Sequence, residues 1–186
     1  LVVEEKGIYS VEKFLVARRF MYWQVYLHKT SLAAEQLLMR VLSRAKELTN
    51  KGVHLQASEP LQYFLKNEIS LDDFNKETLE AFSRLDDYDI VSAMKTWQFH
   101  EDFVLRNLCE MIINRDLLKI KIKNKRIKKD VLQKHTQHLM NKHSISKEEA
   151  EYFVFYGEIS NQAYNAKKQG INILQKNGKI VDIAKV

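Results

Sequence analysis

Apolar residues recur at helical spacing between Tyr9 and Thr30, and a positive charge stands among them. Val11, Phe14, Leu15, Tyr22 and Val25 follow the i, i+3, i+4, i+7 rule, which predicts one helix over residues 8–27. Arg18 falls in the middle of that stripe. A buried guanidinium is costly unless an anionic group meets it. Tyr22 lies four residues on, Tyr26 four further, and Lys29 three beyond that. Arginine, two tyrosines and a lysine therefore line one edge of the helix. Arg18 to Tyr26 rises about 12 Å at 1.5 Å per residue. That span suits a ligand with anionic groups at one end and a flat ring at the other, such as a nucleoside triphosphate.

More helices follow. Ser31–Leu48 carries Ala34, Leu37, Leu38, Val41, Ala45 and Leu48 on one stripe. It is either separate from the first helix or its continuation past a bend near His28, Lys29 and Thr30. Asn50-Lys51-Gly52 supplies a C-terminal stop. Glu59–Asn67 reads as a short helix with Pro60 in its first turn. Asn75 can cap a helix running to Arg84, and Asp86 or Asp87 the next one, through Ala93 to Trp97. Glu101–Asn114 is helical, with Val104, Leu105, Leu108, Met111 and Ile112 inward. Five Gly and one Pro in 186 residues favour long helices over a turn-rich β fold.

The character changes after Arg115. Leu118–Lys123 alternates apolar and basic residues, which predicts a half-buried strand. Lys128–His143 is helical, and Tyr152–Tyr156 reads as a strand. Ile171–Gln175 and Lys179–Ile183 flank Asn177-Gly178, a hairpin signal. The expected organisation is an all-helical region over 1–114 and a small α+β subdomain over 115–186. The fold class is mainly α.

The chain is 45% apolar, enough for a core. Its net charge of +6 suits an anionic partner without naming one. The single Cys109 excludes an internal disulfide and a thiolate zinc cluster, and fits a reducing cytoplasm. No run approaches the roughly 18 apolar residues of a membrane helix. No signal peptide is visible.

The pattern Ala17-Arg18, Tyr22, Tyr26, His28-Lys29 resembles the helix that follows the catalytic core in HD-domain phosphohydrolases, in the branch of the deoxynucleoside triphosphate triphosphohydrolases (dGTPase-like enzymes). The resemblance continues through Leu85–Ile90, Trp97 and Asn114–Lys119, and covers roughly residues 8–122. It implies the helical bundle portion of an HD-type fold, joined to the small α+β subdomain. The implied activity is hydrolysis of a deoxynucleoside triphosphate to deoxynucleoside and triphosphate, with a divalent metal ion as cofactor. The family's histidine and aspartate metal ligands include an adjacent His-Asp pair. None of His28, His54, His100, His135, His138 and His143 is followed by Asp. The expectation is therefore a C-terminal fragment without the metal site, catalytically silent alone, carrying an exposed apolar surface.

By the same resemblance, Arg18 binds the triphosphate, which its planar fork suits, and Tyr26 lies against sugar or base. Tyr22 is a neighbouring substrate contact. An internal ion pair and a core tyrosine are the structural alternatives. His28 and Lys29 match a regulatory nucleotide site at a subunit interface; as a helix end they would complement the helix dipole instead. Arg115 and Lys119 match residues that bind regulatory nucleotide phosphates, and otherwise end a helix before an edge strand. Homo-oligomerisation follows from the same resemblance.

The run Lys119, Lys121, Lys123, Lys125, Arg126, Lys128, Lys129 is the densest charge. It is read as a solvated strand edge, as a nucleotide-phosphate contact, or as a nucleic-acid contact. The alternatives to the hydrolase reading are a nucleic-acid-binding module using that run and an oligomerisation region. His135 and His138 have metal-compatible spacing but no supporting carboxylate, and read as surface residues. Asp86, Asp87 and Asp89 read as caps. Phe14, Trp23, Trp97 and Phe103 are expected in the core.

Overall fold

The computed structural model describes residues 2–70, 72, 74–125, 127–159 and 170–185. They are mainly α-helical. The chain forms two compact units: residues 1–32 with 157–186, and residues 33–156. Residue 115, the expected start of a subdomain, lies inside the second of these.

The first unit opens with β1 (Val3–Glu4) and a 3-10 turn (Glu5–Gly7), followed by α1 (Ile8–Met21) and a π-type turn (Tyr22–Tyr26). β1 pairs in parallel with β2 (Asn172–Leu174), and β2 pairs antiparallel with β3 (Ile180–Asp182). The hairpin expected around Asn177-Gly178 is present, with Gly178 at φ +81°, the left-handed conformation that glycine adopts without cost. Ile173 is fully buried at the centre of this sheet. The Glu5 carboxylate accepts the Lys176 amide at 2.8 Å, tying the turn after β1 to the hairpin.

The second unit holds most of α2 (Lys29–Asn50), then α3 (Glu59–Lys66), α4 (Lys76–Arg84), α5 (Asp87–Trp97), α6 (Phe103–Ile113), α7 (Lys129–His143) and the short α8 (Lys147–Ala150). Caps set the boundaries, at Asn75 and Asp86 as the sequence predicts and at Asp102 beyond what was expected. The Asn75 side chain accepts the Thr78 amide, Asp102 accepts that of Leu105, and Asp86 and Asp89 form a reciprocal capping box. α2 ends with Gly52 at φ +84°, where the Gly52 amide bonds Thr49 and the Val53 amide bonds Leu48, the Schellman arrangement. Leu37, Val41, Ala45 and Leu48 of α2 pack with Leu61 and Leu65, with Ala93, Met94 and Trp97, and with Val104, Leu105, Leu108 and Cys109 into one core. The Trp97 indole donates to the Gln56 carbonyl at 2.9 Å, which satisfies its polar atom inside that core.

Two expected strands do not form. Leu118–Lys123 is irregular backbone. Leu117 and Leu118 both pack against the helical core, and neighbouring residues of a strand cannot face the same side. Tyr152–Tyr156 is not a strand either. The Phe153 and Val154 amides both bond the Ala150 carbonyl, prolonging the turn of α8.

Phe14 and Trp23 also depart from expectation. No residue of α1 or of the π-type turn is buried, and Phe14 and Trp23 are 57% and 55% exposed. Val16, Phe20, Met21, Val25 and Tyr26 are exposed beside them. The reason is in the sequence: Val16, Phe20 and Trp23, at i, i+4 and i+7, lie on the side of the helix away from Phe14, so the apolar surface is divided between two faces.

Candidate functional site

The π-type turn falls on the motif that singled out the first helix. Its closing bond runs from the Leu27 amide to the Tyr22 carbonyl at 2.7 Å, five residues back. Such single turns widen a helix by one residue and recur at functional sites. Here Tyr22 and Tyr26 sit with ring centres 5.2 Å apart, tilted by 51°. The Arg18 guanidinium carbon lies 5.8 Å from the centre of the Tyr22 ring, within cation–π range. Arg18, Tyr22 and Tyr26 thus form a continuous ladder along one edge.

The environment of Arg18 is not the one its stripe implied. The residue is half-buried rather than enclosed, and its neighbour is a ring rather than a carboxylate. Among the described residues Arg18 forms no ion pair. Tyr22 is half-buried and Tyr26 exposed.

His28 and Lys29 stand between the end of the π-type turn, whose Val25 carbonyl accepts the His28 amide at 3.3 Å, and the start of α2. The His28 Nδ1 accepts the Thr30 amide at 3.3 Å. A helix start offers unpaired N–H groups, so it calls for an acceptor there. The His28 side chain therefore serves the start of α2 as an acceptor. Both side chains are exposed.

Arg115 ends α6 in the left-handed conformation, at φ +58°. Its amide bonds the Ile112 carbonyl at 3.1 Å and the Asp116 amide bonds Met111 at 2.9 Å, a Schellman end built on arginine instead of glycine. Lys119 follows on irregular backbone, and both side chains are exposed.

Among the described residues the buried guanidinium is that of Arg44, 7% exposed. It extends the stripe of Leu37 and Val41 at helical spacing, a signal open to sequence reading but passed over. Its Nε and Nη2 donate to the two Asp102 carboxylate oxygens at 3.0 and 2.6 Å, and its Nη1 donates to Glu47 at 2.9 Å. The Tyr152 hydroxyl donates to Glu47 at 2.7 Å, and Glu149 completes the acidic surround 3.9 Å from Arg44 Nη2. Bonds from Lys51, Tyr152 and Arg44 hold the Glu47 carboxyl at about 2, down from 4.5. Burial pushes the Asp102 carboxyl up, but the bonds from Arg44 and the Leu105 amide outweigh it and leave it lowered. Arg44 lies 5.5 Å from the Tyr152 ring centre, and Arg40, one turn earlier, 3.3 Å from that of Phe155. These stacks use aromatics of the segment expected to be a strand. The Arg44 guanidinium is met by carboxylates at all three nitrogens, which marks the pair with Asp102 and Glu47 as structural, while the buried Arg40 Nε meets no acceptor.

Asp86, Asp87 and Asp89 begin α5, and the bonds of Asp86 and Asp89 are those of a cap. His135 and His138 are exposed on α7. Among the described residues no group of three or more His, Cys, Asp or Glu is placed to hold a metal ion. None of their helices is long and apolar enough to cross a membrane.

Residues 1–59, which carry the Arg18 ladder, match the family described as HD associated region. A crystal structure of a phosphohydrolase from Bacteroides thetaiotaomicron is similar over 100% of this chain and 46% of that one, with 45% identity and a TM-score of 0.87. The uncharacterized protein YwfO of Bacillus subtilis is 35% identical over 117 residues, 63% of this chain and 25% of that protein. The uncharacterized protein MG461 of Mycoplasma genitalium is 31% identical over 129 residues, 66% of this chain and 29% of that protein. The chain spans less than a third of these curated relatives and under half of the solved phosphohydrolase. The matched region and the phosphohydrolase neighbour support kinship with the HD-type phosphohydrolases.

Proposed function

We propose that this chain is part of a metal-dependent phosphohydrolase that cleaves deoxynucleoside triphosphates to deoxynucleoside and triphosphate. The observation that carries the reading is Arg18, a half-buried guanidinium without a carboxylate partner among the described residues, in line with Tyr22 and Tyr26. A fork of N–H donors held against one ring suits a phosphate chain, and the second ring suits the sugar and base. In this reading Arg18 stabilises the charge of the triphosphate as the bond to phosphorus breaks, while Tyr22 and Tyr26 position the nucleoside. The divalent ion would supply an activated water. The described residues offer no donor set for that ion, so no step is assigned to it here. His28 and Lys29, and separately Arg115 and Lys119, contact regulatory nucleotide phosphates in a homo-oligomer of cytoplasmic protein.

The test uses the protein at its full natural length. Arg18→Ala is expected to lower kcat/KM for a deoxynucleoside triphosphate by roughly 100-fold, the scale of one lost oxyanion donor. Arg18→Lys should recover part of that, since it restores charge without the fork. Wild-type activity in Arg18→Ala would remove the assignment.

A further inference from the structure

The basic run loses its bland explanation in the structure. Alternating lysines can protect a strand edge, but no strand forms at 118–123, so there is no edge to protect. What remains is six lysines, 119, 121, 123, 125, 128 and 129, all exposed. Among the described residues none of the six forms an ion pair. No acidic residue occurs between Asp116 and Asp130. The run leads directly into α7, where Lys134, His138 and Lys142 are exposed at i, i+4 and i+8 and share one face. Asp130, in the first turn, is the one acidic residue of that helix.

We infer that residues 119–125 and 127–129, continued by the Lys134–Lys142 face of α7, form a binding surface for single-stranded nucleic acid. A file of cations on unpaired backbone follows one phosphate chain. Reading a duplex would require a helix or a two-stranded ribbon in a groove. Ile120, Ile122 and Ile127 stand where base-stacking rings would be, so the contacts are to phosphate and carry little base preference. The inference does not rest on the Arg18 ladder, to which none of these residues belongs; of the residues in the proposed regulatory contacts it shares Lys119 alone.

The experiment is fluorescence anisotropy of a labelled single-stranded oligonucleotide with the full-length protein across a salt series. Binding is expected to weaken steeply with salt. Lys121→Gln/Lys123→Gln/Lys125→Gln should reduce the log–log salt slope by about 2, three contacts at roughly 0.7 each. Lys76→Gln/Lys95→Gln/Lys179→Gln removes the same charge at other exposed sites and should keep the wild-type slope. Equal losses in the two triple variants would overturn the surface, because net charge alone would then account for binding. So would an absence of binding at low salt, or full displacement of the oligonucleotide by saturating nucleoside triphosphate. Melting temperatures of both variants, expected to match wild type, separate a lost surface from a lost fold.

Discussion

The guanidinium of Arg44 on α2 and the carboxylate of Asp102 at the head of α6 meet through two parallel hydrogen bonds, of 3.0 and 2.6 Å. One carboxylate oxygen, Oδ1, also accepts the Leu105 amide at 2.8 Å, so a single side chain caps one helix and fastens it to another. Removing one partner of such a pair strands a buried charge, at a cost of about 3–5 kcal/mol. Asp102→Ala also deletes the cap and should fall at the upper end of that range. Arg44→Met with Asp102→Leu, which removes both charges, should lose far less. Urea denaturation of the three proteins checks the order. A double variant as unstable as Asp102→Ala would contradict it.

Acid should weaken the same junction. The Glu47 carboxyl is lowered in the folded chain, so its contribution is complete above about 4.5 and is lost as pH falls from there toward about 2. Asp102, also lowered, adds to the loss in the same direction. Melting temperature measured between pH 2 and 6 should therefore drop on the acid side. In Glu47→Gln the drop should be shallower, because that position no longer titrates. An unchanged acid limb would mean that Glu47 is not part of the linkage.

Arg115 occupies a conformation that disfavours any side chain with a Cβ by about 1–2 kcal/mol. Arg115→Gly is expected to raise stability by about 1 kcal/mol, since the Schellman bonds need only the backbone. The same change removes the exposed guanidinium proposed for regulatory phosphate. A more stable protein with weaker nucleotide activation is the expected pair of outcomes, read by denaturation and by activity against added nucleotide. A less stable protein would show that the arginine side chain itself holds the turn.

The helices were legible because their signals are local. Asn75, Asp86, Gly52 and Pro60 each act within a turn of where they stand, and each marks a real boundary. The strand at 118–123 failed because alternation describes a face, while a strand also needs a partner; the one at 152–156 failed because a short apolar run fits a helical turn equally well. Leu118 and Tyr152 found helices instead. β1 was invisible for the converse reason: two residues carry no pattern, and their partner β2 is some 170 residues away. The ladder of Arg18, Tyr22 and Tyr26 was readable from spacing, but its width was not, because nothing in the sequence announces a π-type turn. The buried charge was sought at Arg18 and found at Arg44. Both lie on apolar stripes, and only the second stripe is covered within this chain's described residues.

The π-type turn also sets a reading frame. A turn with one extra residue offsets everything after it by a single helical step, about 100° around the axis. Deleting one residue between Tyr22 and Tyr26 would return the segment to an ordinary α-helix. It would also swing Leu27, His28 and Lys29 to a different compass bearing from Arg18. In this part of the chain an indel is a rotation rather than a shortening, and the phase between the ladder and the start of α2 is inherited one residue at a time.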